Sequence, residues 1–544
     1  MLKFVFSWLI AAYVVLAADV HVWWDVSFQS VSRDGFSTHL ATVVNGRLPI
    51  PPVYVDEGDV LFLHVQNSLP HPLSIHAHGL FQRNTTHYDG TGMVTECGIP
   101  PGYNFTYKIH TEEQTGMFWL HGHHEFEIPD GLRVPFIIRK RKSLWEVDED
   151  ILITLEDWMS MEFIERTQLL DTVPLGSLGH NYPSVLINGI SGNLTEPIRF
   201  VPGKKYRLRI ISMSSTYWFR FRIPGHQMHI IEADGIDSEP AAVDGLDMCP
   251  GQRYSVLVDA LDTAKFNFNI NVTFFADFVE RTPNINPRYY HIPLEYRQNA
   301  PIKQFPLIED AQVKWSSDFG LVPQDKQEIL EPIDRRIVLD EKEHIPDIGL
   351  PDYAFGNYAF NHSTNVPALL TALSMGDLAF DPRVYGPQAN AQVVRYMENI
   401  EIVFNNTNGR DHSFHLHGHA FQVVESGCAV QNRTLCSDKT KYSLKWPMRR
   451  DTVTLPMYHY LKIRFKADNP GTFMGQCHQE QHLYKGLAFV LIEAPDKLQK
   501  NLKVPRIIMD HCHILGRKTQ GNAAGNWGFN MTGLPQAKLV VNDT

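Results

Sequence analysis

After residue 18 no stretch of the 544-residue chain approaches the ~18 apolar residues a membrane span needs, so no transmembrane anchor is expected. Positive charge is also short. Lys and Arg number 49 against 60 Asp and Glu, a formal −11, which argues against a nucleic-acid partner held on a basic face. Long amphipathic helical patterns are scarce, so a helical bundle is not expected. Cysteine is sparse, at six residues. With 43% hydrophobic and 20% charged residues, neither disorder nor a fibrous repeat fits. At ~150 residues per domain the length allows roughly three or four domains.

What is abundant is histidine, 26 residues gathered in clusters rather than scattered. Residues 1–18 carry one Lys3, an apolar run from Phe4 to Leu16 and then Ala17 and Ala18, the pattern of a cleaved secretory signal. Nine Asn-x-Ser/Thr sequons (at Asn84, Asn104, Asn193, Asn271, Asn361, Asn405, Asn432, Asn530 and Asn542) fit an exported glycoprotein. In an oxidising compartment most cysteines should pair. Cys428 and Cys436 could close a small loop, Cys97 and Cys512 are candidate long-range partners, and Cys249 is read as a buried free thiol. Spacing alone leaves the connectivity open.

Short β-branched and aromatic runs such as Val60–Val65, Tyr206–Ile211, Tyr254–Val258 and Leu487–Ile492 are punctuated by Gly, Pro, Asn and Asp. That rhythm predicts an all-β chain of sandwiches. It breaks at the charged run Arg139–Lys142 and again near 300–340. The expected division is a signal at 1–18, sandwiches at 19–142 and 143–300, and a linker with a third sandwich over 301–544.

The histidines fall in four clusters: His76 and His78; His121, His123 and His124; His412, His415, His417 and His419; and Cys477, His478 and His482. On a strand, residues i and i+2 share a face, so each His-x-His pair aims two imidazoles at one point. Metals that share ligands need such convergence. One thiolate with two imidazoles and a weak axial neighbour is the blue-copper set, which Cys477, His482 and His412 can supply. Zinc would want closed Cys/His tetrahedra with two-residue spacings, which are missing. Cys477 and His478, as strand neighbours, point to opposite faces and can join two metal sites through a few covalent bonds.

These clusters, with Val44–Gly46, Asp89 and Gly90, Thr95–Gly102, Asp130–Arg133, Pro250–Tyr254, Pro447–Asp451, Lys466–Gly471 and Gly521–Gly525, resemble the multicopper oxidases. Within that family they resemble the fungal laccase-like and iron-transport ferroxidase branch. The resemblance implies three cupredoxin-like Greek-key domains, up to four copper ions and a secreted oxidoreductase. A donor would give up single electrons at a mononuclear copper in the third domain, and O2 would be reduced to water at a trinuclear cluster between the first and third.

By the resemblance, His412, Cys477 and His482 hold the type 1 copper with Leu487 axial. A non-coordinating Leu should raise its potential. His76 and His415 hold the type 2 copper; His78, His121, His123, His417 and His478 serve the type 3 pair. Asp89 and Glu480 match acids that manage protons at the cluster. O2 and a small reducing substrate are the expected partners, met by a monomer.

The pattern breaks at Gln476, where the family has a third His for one type 3 copper. Either Gln476, His124 or a water fills the gap, or dioxygen reduction is impaired and the chain is a copper-binding, non-enzymatic relative. The stretch 179–183 holds no acid and Asn408 stands where the ferroxidases carry Asp, so the donor is read as laccase-like before iron. The tail's His511, Cys512 and His513 are read as a chance match to the metal motif, with Cys512 in a disulfide.

Overall fold

The computed structural model describes residues 17–541 except 36, 125–126, 174–183, 192–194, 276–287, 306–311, 433, 437–439 and 444. Residues 1–16 of the expected signal and all of 179–183 therefore lie outside the described residues.

Alternation builds the strands. In Val60–Asn67, Leu61, Leu63 and Val65 turn into the core while their neighbours stay half-buried, and Phe268–Phe275 repeats the pattern. Among the described residues such strands assemble as three pairs of sheets. The first pair has four strands in each sheet and spans Asp19–Val31 to Arg133–Arg139. The second sets seven strands against five, from Glu149–Trp158 to Arg288–Glu295. In the third, seven again face five, from Arg335–His344 to Ala488–Glu493. Each pair encloses its own apolar core. Strands make up 42% of the described residues and helix 11%, the cupredoxin-like all-β architecture expected from the sequence.

The longest helix among the described residues, Arg506–Ile514, has nine residues, and no described helix is long and apolar enough to cross a membrane. That helix returns from the third sandwich to the first. Its Ile508 enters the first core and Cys512 pairs with Cys97. Cys428 and Cys436 form the second disulfide, and Cys249 and Cys477 are free and buried. The tail strap thus clamps the first and third sandwiches together, where the site lies.

Candidate metal centre

Two sheet edges face each other. In the first sandwich, Ile75–His78 pairs with Gly116–Gly122 so that His76 lies opposite His121. In the third, His412–Leu416 pairs with Gly471–Cys477, setting His415 opposite Gln476 and Phe414 opposite Cys477. The imidazoles of the two edges interleave. The ring of His76 stacks 3.8 Å from that of His417, and His78 stacks 3.7 Å from His415. His123 lies 5.0 Å from His417, and His478 4.9 Å from His78, centroid to centroid. Histidines about 300 to 400 residues apart thus share one buried space.

Tautomers are set by outer partners. The Nδ1 atoms of His76 and His415 donate to the carbonyls of Asp89 (2.7 Å) and Asp451 (2.9 Å). Those of His121 and His417 donate to the carbonyl of Gly122 (2.8 Å) and the carboxylate of Asp89 (2.9 Å). All four Nε2 atoms are buried without a hydrogen-bond partner among the described residues, as is Nδ1 of His478. A buried nitrogen left unpartnered costs roughly 1–3 kcal/mol, so these five lone pairs call for a proton donor or a metal ion beside them. Imidazoles anchored through the other ring nitrogen are the ordinary second-shell arrangement of metal ligands. His76 with His78 and His121, and His76 with His415 and His417, each bring three ligand atoms within 4.8 Å of one another. The residues fit copper by donor chemistry. They are also kept neutral: burial, then charge from neighbouring histidines, holds His121, His123 and His478 well below the ordinary imidazole range, and His417 falls to about 3.

On the far face of the same strand, Cys477 Sγ lies 3.5 Å from His482 Nδ1 and 3.7 Å from His412 Nδ1, and the two nitrogens are 3.1 Å apart. Burial alone would raise the thiol. Charge on His482 and hydrogen bonds from both histidines bring it down to about 6, so the thiolate a metal needs is accessible near neutrality. Leu487 is buried in the same core cluster as Cys477, and its carbonyl accepts the Cys477 N–H.

At Gln476 the structure is specific. Its Nε2 lies 3.1 Å from His123 Nε2, and its buried Oε1 has no partner among the described residues. His124 packs against Gly92 and Gly98 rather than closing the gap. His419 bonds to Glu493 and to the His417 carbonyl, a structural role. His511 and His513 sit on the tail helix beside the Cys512 disulfide.

A cavity of about 400 Å³ opens beside His123, lined among others by His124, His362, Glu480, Tyr484 and Arg517. Burial, then the charges of Glu127, Asp157, Cys477 and Asp130, pushes Glu480 well above the usual carboxyl range, so it holds a proton there. Asp89 goes the other way: against its burial, His417 and His76 hold it well below that range. His362 donates Nδ1 to the Gly92 carbonyl at 2.8 Å, and burial lowers it to about 4. Below pH ~6.5 the unfolded chain protonates this residue while the folded chain does not, so it opposes folding increasingly down to about 4. His362→Asn keeps a donor for Gly92. Urea melts of copper-free protein should show the variant gaining on the parent by about 1.4 kcal/mol per pH unit between 6.5 and 4. Parallel pH profiles would contradict the assignment.

Sequence reasoning assigned no role to Asp451, which accepts two bonds from Arg253 (2.7 and 2.6 Å) and lies 3.1 Å from His78 Nε2. It also missed Glu341, 3.4 Å from His412 Nε2, and His362. An acid at an inward position of an alternating strand was the available sign for Glu341.

Comparison with known proteins gives the family. Three multicopper oxidase family models match residues 25–143, 149–292 and 361–497. The chain belongs to the multicopper oxidases, oxidoreductases that use copper, O2 and a reducing substrate. It is similar to the iron multicopper oxidase fer1 of Mycosarcoma maydis, at 34% identity over 94% of this chain and 86% of that one. The iron transport multicopper oxidase FET5 of Saccharomyces cerevisiae is 32% identical, over 98% and 90%. Among solved structures it resembles Fet3p, a multicopper oxidase that functions in iron import, with TM-score 0.87 and 28% identity over 97% of this chain and 100% of that chain. The laccase of Botrytis aclada superposes with TM-score 0.75 at 26% identity, over 92% of each chain.

Proposed function

We propose that this chain is an exported oxidase that takes single electrons from a metal ion, with Fe²⁺ as the leading donor, and delivers them to O2. The observation that carries this reading is the pair of buried donor sets joined by adjacent residues, Cys477 in one and His478 in the other. His412, Cys477 and His482 would hold the type 1 copper, with Leu487 as a non-coordinating neighbour in the core around Cys477. His76 and His415 would hold the type 2 copper, and His78, His121 and His478 one type 3 copper. His123 and His417 remain for the other. Copper bound there supplies the one-electron chemistry and the site at which O2 is reduced.

The protein's own groups do the rest. Glu480, protonated beside the cavity, is positioned to bring protons to the cluster. Asp89 orients His76 and His417 and keeps a negative charge beside them. Both disulfides support an oxidising compartment. Every proposed ligand comes from one chain, which supports a monomer.

The iron-named relatives move the donor from the phenol favoured on sequence toward a metal ion. Initial rates of O2 uptake with Fe²⁺ and with a simple phenol on one copper-loaded sample decide between them; a faster phenol reaction removes the iron role. Cys477→Ser should abolish both the blue thiolate band and turnover, and a variant that stays blue would refute the type 1 assignment.

The hydrogen bond from Gln476 to His123 favours a second reading, in which the chain binds copper but reduces O2 poorly. Copper counted per chain alongside O2 uptake separates the two: a blue protein that consumes no O2 with any donor is the impaired relative.

A further inference from the structure

Strand Arg335–His344 alternates cleanly, with Ile337 and Leu339 turned into the third core. The next two inward positions are acids, Glu341 and Glu343, where the pattern calls for aliphatic side chains. Glu343 is accounted for. Arg410 Nε donates to it at 2.5 Å and the Tyr353 hydroxyl at 3.3 Å.

Glu341 is different. Its carboxylate is fully buried, and neither oxygen accepts a hydrogen bond by ordinary criteria among the described residues. The polar group against it is His412, whose Nε2 lies 3.4 Å away and is likewise buried with no hydrogen-bond partner among the described residues. The opposite nitrogen of that ring, Nδ1, faces His482 and Cys477. One imidazole therefore bridges the candidate type 1 donor set and a buried carboxylate. An isolated buried carboxylate costs several kcal/mol, and a leucine at 341 would serve the core better. Its value to the molecule must lie in what it does to His412.

We propose that Glu341 is a positioning residue of the type 1 site, holding His412 through its Nε2–H and lowering the reduction potential of a copper bound there. A carboxylate on the outer nitrogen of a ligating imidazole fixes the ring and raises its basicity. Fixed negative charge a few ångströms off stabilises the oxidised ion over the reduced one, which carries one positive charge fewer. The effect opposes that of the non-coordinating Leu487, which raises the potential. The two residues set the potential between them, and Glu341 restricts the donor to stronger one-electron reductants.

The inference rests on the copper reading of His412, Cys477 and His482. Its test is a redox titration of the blue absorbance in the copper-loaded full chain. Glu341→Gln keeps shape and an acceptor but removes the charge. Its midpoint should rise by at least 59 mV, the one-electron equivalent of a tenfold change in equilibrium, with copper content unchanged. Glu341→Asp keeps the charge and retracts it, and should rise by less. A blue Glu341→Gln protein with the parent's potential overturns the proposal. Should Glu341→Gln not accumulate, a raised midpoint in Glu341→Asp supports it and an unmoved one overturns it. Failure of both to fold would make Glu341 part of the scaffold, which also overturns it. A parent protein that takes up copper without a blue band would instead refute the copper reading beneath.

Discussion

A Gln476→His variant should bind more copper per chain than the parent and reduce O2 at least about tenfold faster. Gln476 lies in strand Gly471–Cys477, directly opposite His415 and next to the thiolate residue. Its amide Nε2 sits 3.1 Å from His123 Nε2, so it donates into the lone pair His123 would offer a metal. In the proposed ligand set one imidazole is therefore lacking and a second one is engaged. Loss of outer-shell partners alone lowers metal affinity or activity by roughly 10–100-fold, and an inner ligand should count for no less. Imidazole also exceeds an uncharged amide as a ligand for copper. Metal analysis of purified parent and variant, loaded identically, measures the first effect, and an oxygen electrode the second. Equal copper content together with equal rates would place residue 476 outside the metal shell.

Asp451→Ala should destabilise the fold by about 3–5 kcal/mol and deplete copper as well. The three sandwiches meet at this carboxylate. Arg253 of the second donates two bonds to it, His78 of the first lies 3.1 Å away, and Thr452 beside it in the third donates its hydroxyl at 2.8 Å. Despite its burial, Arg253 and then His78 hold its carboxyl well below the usual range. Alanine would strand the Arg253 guanidinium, which is fully buried, with Asp234 3.5 Å away as its remaining acid. Removing one partner of a buried pair is far costlier than replacing both with apolar groups. The double variant Arg253→Met with Asp451→Ala should therefore recover much of the stability but not the copper, because His78 stays unanchored. Urea midpoints of the three proteins test the first point and metal content the second. A single variant within about 1 kcal/mol of the parent would show that the network contributes little.

Much of the site was legible because its chemistry is local in the chain. His76 with His78, His121 with His123 and His415 with His417 each sit two residues apart, and a strand's two-residue period puts such pairs on one face whatever surrounds them. Cys477 and His478 point to opposite faces for the same reason. The departure at Gln476 was equally plain, being one letter in a motif.

The outer partners were not legible. Asp451 serves His78 across 373 residues, Glu341 reaches His412 from a separate strand, and His362 lines a cavity with His123. Nothing in a strand's period says which distant acid will close on which ring nitrogen.

The sequence by itself determined the all-β build, the faces on which the imidazoles stand and which side chains are offered as donors, because backbone periodicity and side-chain chemistry are properties of neighbouring residues. Only the tertiary structure decided that edges from the first and third sandwiches converge, that Gln476 turns its amide on His123, and that a buried acid backs His412. Those are matters of packing, in which the cost of burying charge selects partners from anywhere in the chain.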